Sequence, residues 1–303
     1  MAGKLILCAT PIGNLGDITP RVLEALRSAD VIAAEDTRNS RKLLTHFDIH
    51  TPMISYHENN RFDRGRELVD RMLRGETIAL ITDAGTPAIS DPGEELVAMA
   101  AGAGIGITSL PGPAACITAL TLSGLSTGRF TMEGFLPRDK KEREEILEEL
   151  CRETRTMIIY EAPHRLKKTL ALLADVLGAE RRVALCRELT KIHETVLRGT
   201  LGDALRRYGV SGPDEDPDET GDAAGKGSAD TEIPRGEYVL VIEGRSRNTV
   251  RAEKQAAWES MTPQEHVIFY TEQGMSQKDA IKQAAKDRGL GKREIYQAVM
   301  KKQ

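Results

Sequence analysis

The chain has 303 residues, 40% of them hydrophobic and 29% charged, and a formal net charge of -4 with a pI near 6.0. That length exceeds what one core usually holds, so two domains and an appendage are expected, and the acidic average excludes a uniformly basic nucleic-acid binder. No stretch approaches the roughly 18 apolar residues of a membrane span, nothing resembles a secretory leader, and Cys8, Cys116, Cys151 and Cys186 are too scattered for a CxxC pair; a soluble, cytoplasmic protein with reduced thiols is the expectation.

Taken in chain order, Lys4 to Ala9 reads as a strand and Thr19 to Ala29 as a helix, with Thr19 as its cap and Pro20 in its first turn. Val31 to Ala34 is a strand, Asn39 to Phe47 a helix, Pro52 to Ser55 a strand, Arg61 to Arg74 a helix, Thr77 to Ile81 a strand, Gly93 to Ala101 a helix and Gly106 to Leu110 a strand. That alternation predicts a mostly parallel sheet covered by helices over residues 1–120. The turn Pro111 to Pro113 opens a helix of small residues from Ala114 to Ser123, and Thr121 to Gly128 reads as a hinge.

Residues 121–245 have a second α/β character. Phe130 to Phe135 is a strand, Lys140 to Cys151 a charged helix, Thr156 to Tyr160 a buried strand, Ala162 to Leu177 a helix stopped by Gly178, and Val183 to Cys186 a strand. Two further extended stretches, His193 to Arg198 and Glu237 to Glu243, are expected to pair antiparallel in a mixed sheet. Between them, Ser211 to Arg235 sets eight acids against Lys226 and Arg235 with almost no apolar content, so it is expected to be a disordered insertion.

The remaining residues, 246–303, set eleven Lys or Arg against seven acids. Their one extended pattern is Val267 to Tyr270. After it, Ser276 caps a helix, Gly289-Leu290-Gly291 makes a turn, and a short helix carries Lys292, Arg293 and Tyr296. The spacing fits a helix-turn-helix or a plain helical hairpin equally.

Chemistry concentrates in loops at strand ends. Thr82 to Gly93, TDAGTPAISDPG, follows a buried strand and combines Asp83 and Asp91 with Gly85, Gly93, Pro87 and Pro92. Proline stiffens such a loop and glycine admits a close ligand, at the strand end where parallel sheets bind ligands. Asp91 and Pro92 read equally well as the start of the next helix. Thr10 to Asp17, Glu35 to Arg38, Tyr160 to Arg165 and Arg187 to Lys191 also follow strands, so one shared cleft is expected. No phosphate-loop motif is present and the six histidines lack metal spacing, so no metal is expected.

In order, TPIGNLGDIT, AEDTR, TDAGTPAISDPG, PGPAA, GFLPR, YEAPHR, RELTK and RGEYVLVI resemble the ribosomal RNA small subunit methyltransferase I family, a branch of the tetrapyrrole methylase superfamily, over residues 3–244. The resemblance implies a two-domain α/β fold with a parallel first sheet, a mixed second sheet and a small helical extension. It implies S-adenosylmethionine as cofactor, a homodimer, and 2′-O-methylation of a cytidine ribose in the decoding region of 16S rRNA within the 30S subunit. By position it implies that Pro11, Asp83, Ala84, Gly85, Thr86, Ile89, Ala114, Ala115, Tyr160 and Leu189 hold the cofactor. Thr82 and Ala114 stand where many relatives carry serine.

Such a transfer needs an aligned hydroxyl and a proton acceptor. Glu35, Asp36, Glu161, His164 and Lys191 are the candidates, each readable also as a structural ion pair or helix cap. Arg38, Arg165, Lys292 and Arg293 suit RNA phosphates. A tetrapyrrole or diphthine methylase on the same fold, and a non-catalytic nucleic-acid-binding regulator, are the competing readings.

Overall fold

A computed structural model describes residues 3–210, 232–259 and 261–300. Contacts divide it into two compact units, the first formed by Met1–Cys151 and Arg155–Glu243, the second by Arg152–Thr154 and Gly244–Gln303.

The first unit begins with strand β1 (Lys4–Cys8), helix α1 (Pro20–Ser28), β2 (Val31–Ala34), α2 (Thr37–His46), β3 (Met53–Ser55), α3 (Arg61–Leu73), β4 (Thr77–Ile81), α4 (Gly93–Gly102) and β5 (Gly106–Leu110). The five strands lie in the order β3-β2-β4-β1-β5, every neighbouring pair parallel. Parallel pairing follows from the α-helical crossovers, and it brings the carboxyl ends of all five strands to one edge. Strand residues alternate between two cores. Ile6, Cys8, Ile32, Ala34, Ala79 and Ile81 meet Val22 and Leu26 of α1 and Leu44 of α2, while Leu5, Leu7, Val31, Ala33, Ile78 and Leu80 meet Leu68 and Met72 of α3 and Leu96 of α4.

Helix α5 (Ala115–Leu122) leads into β6 (Phe130–Phe135), α6 (Lys140–Arg152), β7 (Thr156–Glu161), α7 (Leu166–Leu177), β8 (Arg182–Arg187), β9 (Thr195–Thr200), α8 (Leu201–Tyr208) and β10 (Tyr238–Ile242). The second sheet has the order β6-β7-β10-β8-β9, parallel only between β6 and β7. The stretches expected to pair with each other are therefore not neighbours, because β8 lies between β9 and β10. Every residue of β10 is buried, which suits a central strand, whereas half-exposed β9 takes the edge. The helix expected from Ala162 begins at Leu166, since Ala162 to Arg165 form a turn closed by Arg165 N–H donating to the Ala162 carbonyl at 3.0 Å.

One face of this sheet packs on α6, α7 and α8 through Leu147, Leu170, Leu173 and Leu201. The other receives Cys116, Ala119 and Leu120 of α5, together with Ile12 from the loop after β1. Arg198 of β9 donates to the Leu122 carbonyl at 2.9 Å, satisfying an end of α5.

Of the expected disordered insertion, residues 211–231 lie outside the described residues. Residues 232–235 are described, and Glu232 there accepts from Arg187 at 3.1 Å and from Arg207 at 2.6 Å.

The second unit contains α9 (Arg247–Glu259), α10 (Pro263–Glu272), α11 (Gln277–Arg288) and α12 (Lys292–Met300). Val267 to Tyr270, read as extended, is helical. Thr262 and Glu265 form a capping box around Pro263 that starts α10 ahead of its β-branched and aromatic run. Val267, Ala280, Ile281, Ala284, Ala285 and Ile295 make the core of this unit. Trp258 stacks on buried His266 at 3.9 Å, and Arg288 Nε donates to His266 Nδ1 at 3.0 Å. Lys278, Lys282 and Lys286 are exposed at four-residue spacing on α11, about 6 Å apart along the axis.

No helix among the described residues is long and apolar enough to cross a membrane.

Candidate active site

The loop after β4 is tied to the loop after β1 by a backbone bridge. Thr10 N–H donates to the Gly85 carbonyl at 2.9 Å, and Gly85 N–H returns the bond at 3.0 Å. Gly85 has φ +91°, and a Cβ there would lie 3.3 Å from Ile12 Cγ2, so a larger residue would be strained and crowded. Ala88 and Ser90 also take positive φ, 68° and 62°. Such backbone persists where surroundings over-determine it, and Asp91 supplies that: its carboxylate accepts from Ala88 N–H at 3.0 Å, Ile89 N–H at 3.3 Å and Gly93 N–H at 2.7 Å. Asp91 is thus the brace of the loop and of α4. Burial raises its pKa, the N–H donors oppose that, and the Glu35 charge adds to it.

Across the cleft, Glu188 and Thr190 in the loop after β8 have φ 52° and 65°. Four of the five non-glycine residues with positive φ among those described therefore flank one place. Lys191 Nζ bridges Glu188 Oε1 at 2.8 Å and Glu237 Oε2 at 2.9 Å. At Gly13 an added Cβ would overlap the Lys191 side chain and sit 2.9 Å from the Leu189 carbonyl, so the loops from the two sheets meet backbone to backbone there.

Between these loops lies a cavity of about 560 Å³. Ala84, Gly85, Thr86 and Ile89 wall it on the first sheet's side, Tyr160 and Leu189 on the second's, and Ala114 and Ala115 at the start of α5. Thr86 Oγ1 donates to the Pro113 carbonyl at 3.0 Å, locking the central loop to the α5 turn. Pro11 and Asp83, expected beside them, face instead a neighbouring recess of about 420 Å³. Asp83 is engaged with α2, its Oδ1 accepting from Asp36 N–H at 3.2 Å and its Oδ2 from Asn39 at 3.4 Å.

The five proton-acceptor candidates separate by their partners. Asp36 caps α2, accepting from Arg38 N–H at 2.8 Å, a bond that holds its pKa down. Lys191 is held charged: burial opposes the charge, but the Glu188 and Glu237 carboxylates outweigh it and raise its pKa. Glu161 is 2% exposed, with Oε1 accepting from Ala162 N–H at 2.8 Å and Oε2 from Thr169. Glu35 and His164 both line the cavity. Glu35 Oε2 accepts from Thr82 Oγ1 at 2.8 Å, and the Thr82 carbonyl accepts from Thr10 Oγ1 at 3.1 Å.

Arg38 is exposed over 90% of its side chain and lies 3.5 Å from Asp36. Arg165, expected to meet phosphate, instead donates to the Leu136 carbonyl at 2.8 Å and lies 3.7 Å from Glu161, tying YEAPHR to GFLPR. Lys292 and Arg293 are exposed at the start of α12 in the second unit.

Sequence reasoning missed several lining residues. Phe135, 55% exposed at the cavity and 5.6 Å from the Tyr160 ring, comes from GFLPR. Ile12, Ser90, Cys116, Cys186 and Glu237 come from loops or strands whose motifs were visible but whose side-chain directions were not. Burial raises the Cys186 thiol to about 11, so it is a neutral wall atom.

The family model for Tetrapyrrole (Corrin/Porphyrin) Methylases matches residues 4–205. Two proteins called ribosomal RNA small subunit methyltransferase I are similar along nearly the whole chain. That of Halalkalibacterium halodurans is 47% identical over 97% of this chain and 93% of its own, and that of Bacillus subtilis is 43% identical over 99% and 95%. Among solved structures, a diphthine synthase overlays with a TM-score of 0.55 at 13% identity, covering 80% of this chain and 90% of its own. A uroporphyrin III C-methyltransferase from Thermus thermophilus gives 0.51 at 14% identity, covering 79% and 97%. The two structures speak to the fold alone; the family match and the two full-length relatives show that this chain belongs to the tetrapyrrole methylase superfamily and, within it, to the ribosomal RNA small subunit methyltransferase I family.

Proposed function

We propose that the protein methylates the ribose 2′-oxygen of a cytidine in the decoding region of 16S rRNA within the 30S subunit, working in the cytoplasm as a homodimer. S-adenosylmethionine is the cofactor of the family. The observation that carries the reading is the 560 Å³ cavity, whose residues fit that molecule. Gly85 leaves a close approach where a Cβ would stand. Ile12, Ala114, Ala115 and Leu189 offer apolar surface, Tyr160 and Phe135 offer ring faces for a flat base, and Glu35, Asp91, Glu161 and Glu237 give an acidic lining that suits a cationic sulfonium and ammonium.

When bound, the cofactor supplies a methyl group whose carbon–sulfur bond breaks as the acceptor oxygen bonds to the carbon. Glu35 orients the acceptor hydroxyl and takes its proton, because among the five candidates it lines the cavity with a carboxylate held by one neutral donor, Thr82. Asp91 holds the loop, Glu161 the turn before α7, and Lys191 the loop after β8. Arg38 and, in the second unit, Lys292, Arg293 and the ridge of Lys278, Lys282 and Lys286 contact phosphates. Binding to RNA therefore weakens with salt, and replacing the three ridge lysines by alanine lowers the slope of log affinity against log salt by about 0.7–0.9 for each phosphate that is no longer neutralised.

The test uses purified full-length protein, S-adenosylmethionine and 30S subunits lacking the modification, with ribose methylation read by mass spectrometry of nuclease digests. A methylated cytidine is the expected product. Absence of any methylated nucleotide overturns the reading, and a methyl group on another base or ribose corrects its target.

A further inference from the structure

The recess beside the cavity has a composition unlike that of the cavity itself. It lies between the loop after β1 and the first turns of α2, and Asn14, Asn39, Ser40, Lys42 and Asp83 line it. Thr82 lines both spaces. The wall between them is the strand end where Thr82 donates to Glu35 on the cavity side and accepts, through its carbonyl, from Thr10 on the recess side.

Ser40 is 4% exposed, and its hydroxyl has no hydrogen-bond partner among the described residues. Leaving such a group unpaired costs on the order of 1–3 kcal/mol, and a leucine or alanine would serve packing better. A ligand that hydrogen-bonds the hydroxyl explains why it is there. The same recess is lined by the amides of Asn14 and Asn39 and the carboxylate of Asp83. Asn39 is paired with Asp83, and Asn14 Oδ1 accepts from Gly16 N–H, so the remaining donors and acceptors of these groups are of the kind that read a base edge or ribose hydroxyls. The exposed ammonium of Lys42 stands at the rim, suited to a phosphate. The volume, about 420 Å³, falls in the range of small-molecule sites.

We propose that this recess receives the base of the acceptor nucleoside, turned out of the RNA, that the Ser40 hydroxyl hydrogen-bonds it, and that the ribose hydroxyl lies at the Thr82 edge toward Glu35. The inference rests on the methyltransferase reading: an acceptor oxygen must come within about 3–3.5 Å of the methyl carbon, so its site must adjoin the cofactor cavity, and this recess does so through Thr82. A base stacked in a helix cannot reach a recess of this kind, so the nucleotide enters single-stranded or flipped.

The test compares full-length Ser40→Ala and Leu43→Trp with the parent protein. Leu43 is half-buried on the same recess, and tryptophan there fills it. Three quantities are read: thermal midpoint, S-adenosylmethionine affinity by calorimetry, and methylation kinetics on 30S subunits. Ser40→Ala should keep or slightly raise the midpoint, leave cofactor affinity unchanged, and raise KM for 30S about fivefold to tenfold, the loss of one hydrogen bond. Leu43→Trp should cut methylation at least tenfold at unchanged cofactor affinity. The inference is overturned if Ser40→Ala lowers the midpoint, which makes the hydroxyl structural, or weakens cofactor binding, which assigns it to the other cavity. It is overturned as well if both variants bind the cofactor and methylate at parental KM, and in that case the parent's own activity leaves the broader reading standing. A parent that methylates nothing removes both together.

Discussion

Along the first sheet the cavity is walled by backbone held in uncommon shapes, with Gly85 at φ +91° and Ala88 and Ser90 also left-handed around the Asp91 carboxylate. Along the second sheet it is walled mainly by side chains projecting from strands, Tyr160 from β7, Cys186 from β8 and Val239 from β10, with Leu189 held in the loop between left-handed Glu188 and Thr190. A backbone wall tolerates little change at the residues that define its turn but is indifferent to most side chains. A side-chain wall yields gradually, one residue at a time. Substitutions on the two sides should therefore differ in size and in kind.

The largest effect belongs to the chemistry on the first side. Glu35→Gln keeps the hydrogen bond from Thr82 but removes the proton acceptor, so kcat should fall by about 10²–10⁴ while cofactor affinity, read by calorimetry, stays within about twofold. Loss of affinity with intact kcat would move Glu35 from the acceptor to the cofactor wall.

Next comes the turn itself. In Gly85→Val a β-branched residue must adopt positive φ with its Cβ 3.3 Å from Ile12, and the bridge to Thr10 should open. Cofactor affinity should fall on the order of a hundredfold, since about 1–3 kcal/mol of strain is added. Tyr160→Ala tests the other wall: it removes one ring face while leaving backbone unchanged, and about tenfold in affinity is expected. Burial, aided by Cys116, raises the Tyr160 pKa, so the hydroxyl stays neutral and Tyr160→Phe should change little. If Tyr160→Ala matched Gly85→Val, the distinction between the walls would collapse.

The fold and the loops were largely legible because apolar runs and crossover helices impose the parallel first sheet, and polar clusters can only sit at its strand ends. Which stretch occupies the centre of the second sheet was not legible, because it depends on a competition. Tyr238–Ile242 and Thr195–Thr200 both look extended, and only the comparison of their burial puts β10 inside and β9 at the edge. Helix α10 hid behind a run of β-branched and aromatic residues, although Thr262, Pro263 and Glu265 announced its start. In the site, the sequence displays carboxylates but not their partners. Glu161 and Glu35 look alike in sequence and both line the cavity, but Glu161 is held by Thr169, eight residues on, and by the Ala162 N–H, whereas Glu35 is held by Thr82. Ser40 gives no signal at all in sequence, being one hydroxyl in an ordinary helix.

The smallest effect concerns the clamp that holds the second wall's loop. Lys191 joins Glu188, whose Oε1 also accepts from Glu237 N–H at 3.0 Å. Burial would raise the Glu188 carboxyl, yet the Lys191 ammonium and that N–H outweigh it and leave its pKa below the ordinary 4.5. Lys191 is shifted the opposite way, above its ordinary 10.5. A lowered acid contributes stability above its unfolded value and loses it as pH falls through the folded one. A raised base contributes below its unfolded value and loses it as pH rises through the folded one. The clamp therefore acts at full strength between about 4.5 and 10.5 and fades on both sides. Lys191→Met should lower the thermal midpoint at pH 7 by about 1–3 °C, as suits a half-exposed pair worth at most about 1 kcal/mol. The difference from the parent should shrink in acid as Glu188 protonates and in alkali as Lys191 deprotonates. Cofactor affinity should drop less than in Tyr160→Ala, because the loop is loosened while its lining side chains stay in place. A midpoint difference that persisted undiminished well below 4.5 and well above 10.5 would mean that Lys191 acts through packing against Gly13 instead of through its charge.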